Sequence, residues 1–99
     1  MTINNQLEGT TLTMSIEGRI DTQTAPELQK AVDASIGDVK DLILDFSKVL
    51  YVSSAGLRVI LTAQNAMDQK NGSMVIRNAA KNIVDVFKVT GFDTFLNLE

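Results

Sequence analysis

"DLILDFSKVLYVSSAGLRVIL", residues 41–61, passes from an apolar branched segment through two serines and a glycine into an apolar segment with a different period. Residues 41–47 show little polar alternation, as in a central strand covered on both faces. From about Ser54 the pattern turns helical: Leu57, Ile60, Leu61 and Met67 fall on or near one side, and Arg58, Gln64, Asn65 and Asp68 on the other. A strand running directly into a helix is the building unit of parallel α/β sheets.

The flanking sequence extends that pattern in both directions. Upstream, Thr2 to Leu7 alternates weakly, "EGT" at 8–10 reads as a hairpin turn, and "TLTMSIEG" puts Leu12, Met14 and Ile16 on one face of a half-buried strand. Thr24 to Glu27 forms a Thr-x-x-Glu capping box with Pro26 in the first turn. A helix is expected from Thr24, with Leu28, Ala31, Val32, Ser35 and Ile36 at helical spacing and Gly37 as its left-handed stop. Downstream, "KNGS" at 70–73 ends the helix that began near Ser54. "MVIRN" reads as a strand, "AAKNIVDVFKVTG" as a helix with Ile83, Val84 and Phe87 inward and Gly91 as its stop, and "TFLNL" as a last strand. The order β-β-α-β-α-β-α-β predicts one α/β domain over 1–99: a mixed, mostly parallel sheet of about five strands with three helices. Ligands and reactive groups of such folds gather beyond the C-terminal ends of the strands. The serines sit at such a junction.

Composition narrows the function. The chain of 99 residues has a formal charge of −3, and its nine basic residues are scattered, which argues against binding nucleic acid directly. Cysteine and histidine are absent. Disulfides, Cys-based redox centres and a Ser-His-acid triad are excluded with them, and a metal site would have to be built from carboxylates alone. A serine–lysine pair is the one activated nucleophile left, so a small hydrolase lacks its ordinary base and the expectation is no enzyme, no metal and no cofactor. No apolar run is long enough to span a bilayer, and "MTINNQLEGT" lacks the features of a secretion signal, so a cytoplasmic protein without a membrane partner is expected.

A helix starting at Ser54 presents unpaired N–H groups and a partial positive charge, an environment that suits a phosphate on that serine. Ala55 and Gly56 are small enough to keep the hydroxyl accessible to another protein, and Arg58 lies one turn on. The simpler reading is that Ser53 or Ser54 caps the helix, worth about 0.5–2 kcal/mol. A cap can also be a phosphoacceptor. Asp21 has two readings, a partner-surface carboxylate or a turn-stabilising one. Asp45 reads as a loop-anchoring carboxylate and Arg19 as a solvated loop residue, while Met14, Met67 and Met74 read as core filling.

"LDFSKVLYVSSAGLRVIL" resembles the signature of the STAS domain family, in particular the bacterial anti-sigma-factor antagonists, whose common form is an acidic residue, the phosphorylated serine, a second hydroxyl residue, then Gly-Leu. "GRID" at 18–21 is similar to the family's Gly-x-Leu-Asp segment, "LDFS" to its third strand and "VFKVTGF" to the end of its third helix. Counting back from Gly56-Leu57, the resemblance puts the acceptor at Ser54. Ser53 stands where the family has aspartate and becomes a rival site; Ala55 replaces the second hydroxyl. Many members carry a terminal helix beyond the last strand, and without one a sheet face or edge is more exposed.

The resemblance implies a phosphorylation-controlled binding switch. Its partners would be an anti-sigma factor of the serine-kinase type, sequestered when the chain is unphosphorylated and released when it is phosphorylated, and a metal-dependent serine phosphatase that reverses the mark. Asp21, Ser53, Ser54, Ala55, Gly56 and Arg58 would form the binding surface, with ATP bound by the kinase. The alternative is a STAS scaffold or regulatory subunit of a transport or signalling complex, whose serines only cap.

Overall fold

The computed structural model describes all residues, 1–99. Its elements are β1 (Thr2–Glu8), β2 (Thr11–Ile20), α1 (Ala25–Ser35), β3 (Asp41–Val52), α2 (Ser54–Gln69), β4 (Ser73–Arg77) and α3 (Lys81–Thr90), followed by a 3₁₀ turn at Phe92–Thr94. They form one sheet in the order β1-β2-β3-β4. β1 is antiparallel to β2, and the remaining pairs are parallel.

Strand order and chain order coincide, and this decides which sheet face is covered. Each crossover steps in the same direction across the sheet, so right-handed connections return every helix to the same side. On that side Leu12, Leu42 and Met74 lie in one row and Met14, Leu44 and Ile76 in the next, all buried. Leu28 and Val32 of α1 and Ile60, Ala63 and Met67 of α2 join the same apolar cluster. Phe87 of α3 meets Phe46 of β3 there, ring centroids 6.4 Å apart. Each fully buried side chain of this size stabilises the fold by about 1.5–3 kcal/mol relative to exposure. The opposite face is open. It shows the rows Thr11–Asp41–Ser73, Thr13–Ile43–Val75 and Ser15–Asp45–Arg77, all partly or fully exposed.

The expectation of a central strand covered on both faces is therefore corrected: β3 is covered on one. Its apolar Ile43 belongs to the open side. The expected fifth strand is also corrected. Gly91 stops α3 in the left-handed conformation, but Phe95 and Leu96 then donate their N–H groups back to Phe92, curling the chain into the 3₁₀ turn. This drops Leu96 into the core. Too little chain remains for a strand, and only a parallel bridge from Leu98 to Ile76 forms. The sheet has four strands.

Smaller corrections concern helix ends. Gly37 does not take a left-handed conformation; α1 ends at Ser35, with the Ile36 N–H bonding to Val32 O. The Ile36 and Gly37 carbonyls accept hydrogen bonds from Lys70 Nζ. Gln64 is buried, because α2 also packs against α1, and its amide donates to Asp68 Oδ1 at 2.9 Å. Met14, Met67 and Met74 are core residues. No helix is long and apolar enough to cross a membrane.

Candidate functional site

The C-terminal ends of β2 and β3 lie side by side, Arg19 opposite Tyr51 and Ile20 opposite Val52. Each strand leads directly into a helix, which sets Asp21 and Ser53 next to one another. The Ser53 N–H continues the ladder by donating to Ile20 O at 2.8 Å.

Geometry decides which of the two serines caps α2. Ser53 is the N-cap of α2, in extended conformation, and its Oγ accepts the Gly56 N–H at 3.2 Å while its carbonyl accepts the Leu57 N–H at 2.9 Å. Ser54 is the first helical residue and is exposed. Its hydroxyl has no partner in the protein, and the N–H groups of Ser54 and Ala55 make no internal hydrogen bond. Two amide donors and a free hydroxyl thus share the positive end of a 16-residue helix. Arg58 is exposed and makes no ion pair; from the fourth position after Ser54 it shares the same helix flank.

Gly56 belongs to the scaffold below this surface. It is buried, and a Cβ there would lie 2.7 Å from Ile20 Cγ2, 2.9 Å from Ile20 O and 3.1 Å from Val52 Cγ1. Its small size lets the helix start seat against the end of β2, which corrects the reading that it opens the hydroxyl to a partner. Ala55 is half-buried.

Asp21 builds the start of α1. Its Oδ1 accepts the N–H groups of Gln23 and Thr24, both at 3.0 Å, and lies 3.1 Å from the Thr24 hydroxyl, whose single proton it shares with Arg19 O. The hydrogen bond from the Thr24 backbone, with help from the Gln23 backbone and from Arg19, holds its carboxyl below the ordinary value of 3.8. Thr24 does not form the expected capping box: its Oγ1 accepts the Asp21 N–H at 2.9 Å and donates to Arg19 O at 2.7 Å. The other oxygen of Asp21 stands 3.7 Å from Arg19 Nε.

Arg19 lies in β2, not in a loop, and its guanidinium stacks over Tyr51 at 4.3 Å from the ring centroid. Tyr51 and Leu50 are 42% and 69% exposed, between buried Val49 and Val52. The sequence reading passed over this pair as part of an apolar run. Two extra residues of β3 break the in–out alternation after Phe46: a register shift against β2 between Gly18 and Arg19 turns Leu50 and Tyr51 outward, and an earlier one lies between Ser15 and Glu17. Asp45 holds that irregularity, accepting the Ser47 N–H at 3.0 Å and the Asn78 side chain at 3.4 Å, and the Ser47 bond lowers its pKa. Among the sequence candidates, Asp21, Ser53, Ser54, Ala55 and Arg58 occur together at this end of the sheet, joined by Arg19, Leu50 and Tyr51.

A family model for the STAS domain matches residues 2–99. The anti-sigma-B factor antagonist of Listeria monocytogenes is 26% identical over 87 residues, 85% of this chain and 75% of that protein. The crystal structure of an anti-sigma factor antagonist from Mycobacterium paratuberculosis, 27% identical, superposes with a TM-score of 0.81 over 98% of this chain and 83% of that one. Unphosphorylated SpoIIAA, 15% identical, superposes at 0.78 over 99% of this chain and 87% of its own. Its phosphorylated form from Bacillus, 16% identical, gives 0.77 over 99% and 91%. At that identity the likeness to SpoIIAA speaks for the fold alone.

Proposed function

The chain belongs to the STAS domain family, and on that premise we propose that it is an anti-sigma factor antagonist whose docking surface is switched by phosphorylation of Ser54. The observation that carries the proposal is the division of labour between adjacent serines. Ser53 Oγ is engaged in capping, whereas Ser54 Oγ is exposed and unbonded beside free amide N–H groups. The names of the relatives supply the class of partner.

In the unphosphorylated state the surface of Asp21, Ser53, Ser54, Ala55 and Arg58, with exposed Leu50 and Tyr51 at its rim, docks on an anti-sigma factor of the serine-kinase type. Docking sequesters that factor and frees its sigma factor. Apolar and aromatic side chains beside an arginine are the residue types that carry most of the energy of protein interfaces. The kinase brings ATP and transfers its terminal phosphoryl group to Ser54 Oγ; the chain itself catalyses nothing. The added ester carries about −1.5 to −2 charges. Within a desolvated interface that costs several kcal/mol, and even 3 kcal/mol weakens binding roughly a hundredfold. A metal-dependent serine phosphatase restores the docking state. All of this belongs in the cytoplasm, with no direct contact to nucleic acid or membrane.

The switch needs no rearrangement, since the charge appears in the interface itself. Circular dichroism and thermal unfolding should be nearly the same for both forms. Intact-mass analysis after incubation with ATP and the cognate kinase should show one added phosphate (about 80 Da), mapped to Ser54 and absent from Ser54→Ala. Phosphate on Ser53 would move the switch to the rival serine, and partner binding that is equal for Ser54→Asp and Ser54→Ala would favour a constitutive STAS scaffold instead.

A further inference from the structure

The two edges of the sheet are finished differently. Beyond β4 the chain itself returns: the Ile76 N–H donates to Asn97 O at 2.9 Å and the Glu99 N–H to Ile76 O at 2.8 Å. Beyond β1 the edge is bare. β1 pairs with β2 along its whole length without a bulge, contains no proline or lysine, and Glu8 is its only charge. Pro, Lys and bulges are the devices that ordinarily blunt an edge strand. Every residue of β1 except Ile3 is exposed, and Leu7 is 61% exposed.

The hairpin turn decides which backbone groups face outward. Gly9 has φ +62° and begins the two-residue loop between Glu8 and Thr11, a loop type that closes on a hydrogen-bonded pair. Glu8, Gln6, Asn4 and Thr2 then turn their N–H and C=O groups toward β2, while Ile3, Asn5 and Leu7 turn theirs away. The neighbouring contacts agree, since Thr10 O points to the far side of β2 and accepts from Lys40 and Asp41.

We propose that β1 is a self-association edge, pairing antiparallel with β1 of a second copy about a two-fold axis through Asn5. In that register Ile3 faces Leu7 of the second copy and Leu7 faces Ile3, apolar against apolar on the helix-covered side. Asn4 faces Gln6, and Asn5 faces Asn5. Glu8 meets Thr2, so no like charges oppose one another. The Asn5 amide, held by Ser35 Oγ at 3.2 Å, stays on the helix side. A register shifted by two residues puts Asn5 against Ile3 or Leu7 and shortens the overlap. The outward donors and acceptors of Ile3, Asn5 and Leu7 are all used in the proposed one.

Pairing joins two four-stranded sheets into one continuous sheet. The two-fold reverses strand direction, so the two Ser54 surfaces lie at opposite ends and both remain open. A single strand pair buries less than the roughly 1,200 Å² of standard interfaces, so association is expected to be weak, with a dissociation constant on the order of micromolar to millimolar.

Sedimentation velocity of the full chain from about 1 µM to 1 mM spans that range. The mass should rise with concentration from 10.8 kDa toward twice that value. Leu7→Lys should weaken association by about tenfold or more with an unchanged circular dichroism spectrum. Because the chain has no cysteine, Asn5→Cys tests the register directly. Hydrogen-bonded antiparallel partners are about 5.5 Å apart at Cα, within disulfide range, so oxidation should cross-link Asn5→Cys and leave Thr2→Cys monomeric. A monomer across the whole range, or Thr2→Cys cross-linking as fast as Asn5→Cys, overturns the proposal.

Discussion

The starts of α1 and α2 are near neighbours with the same local task, yet they handle their polar groups in opposite ways. At α1 the Asp21 carboxylate and the Thr24 hydroxyl bond to each other and to the surrounding backbone. At α2 Ser53 alone closes the turn, and Ser54 adds a hydroxyl that closes nothing. The polar side chains at the first start are spent on the chain itself, whereas at the second the Ser54 hydroxyl stays open. Every helix start leaves N–H groups without helical partners; what sets α2 apart is the exposed, unbonded Ser54 hydroxyl beside them.

The largest effect should come from completing the incomplete start. Phosphorylation of Ser54 should weaken anti-sigma factor binding about a hundredfold, near 2.7 kcal/mol, while unfolding midpoints stay nearly constant. Isothermal titration of both forms measures this, and a large stability change would make the two starts alike. Next is the support beneath it. Gly56→Ala forces a Cβ to within 2.9 Å of Ile20 O, and overpacking there should cost about 2 kcal/mol in urea unfolding despite the better helix propensity of alanine. Ser53→Ala should cost about 1 kcal/mol of stability and leave Ser54 a competent acceptor, which separates cap from switch within one turn.

These distinctions were only partly legible in the sequence. The alternation of Leu12, Met14 and Ile16 and the helical spacing of Ile83 and Phe87 carried the architecture, because burial on one side writes a period into the chain. The junction at Ser53 and Ser54 was visible too, since strand and helix periods meet there. Which serine caps was not visible, because either can, and the choice depends on the Ser53 N–H joining Ile20 O from a distant strand. Thr24 misled for a similar reason: the end of β2 takes its hydroxyl, which accepts from the Asp21 N–H and donates to Arg19 O instead of capping α1. Leu50 and Tyr51 read only as part of an apolar run, because the extra residue that turns them outward shows in the pairing with β2. "TFLNL" has strand composition, but the pull of Leu96 into the core outweighs it.

The smallest effect concerns pH and bears on α1. Asp21 has a lowered pKa in the folded protein, so its stabilising contribution is complete above the ordinary value of 3.8 and is lost as pH falls through the lowered one. Asp21→Asn should flatten the loss of stability in that acid range, followed by thermal melts at stepped pH. Ser54→Ala should leave the acid profile unchanged.

Tyr51 is the sole tyrosine, and the chain has no tryptophan. Its phenol ring, stacked under the Arg19 guanidinium, is therefore the protein's dominant near-ultraviolet emitter, placed at the end of the sheet that carries Ser53 and Ser54. Quenching or energy transfer to an indole on the partner would register complex formation in real time without any attached dye. The molecule comes with its own optical gauge.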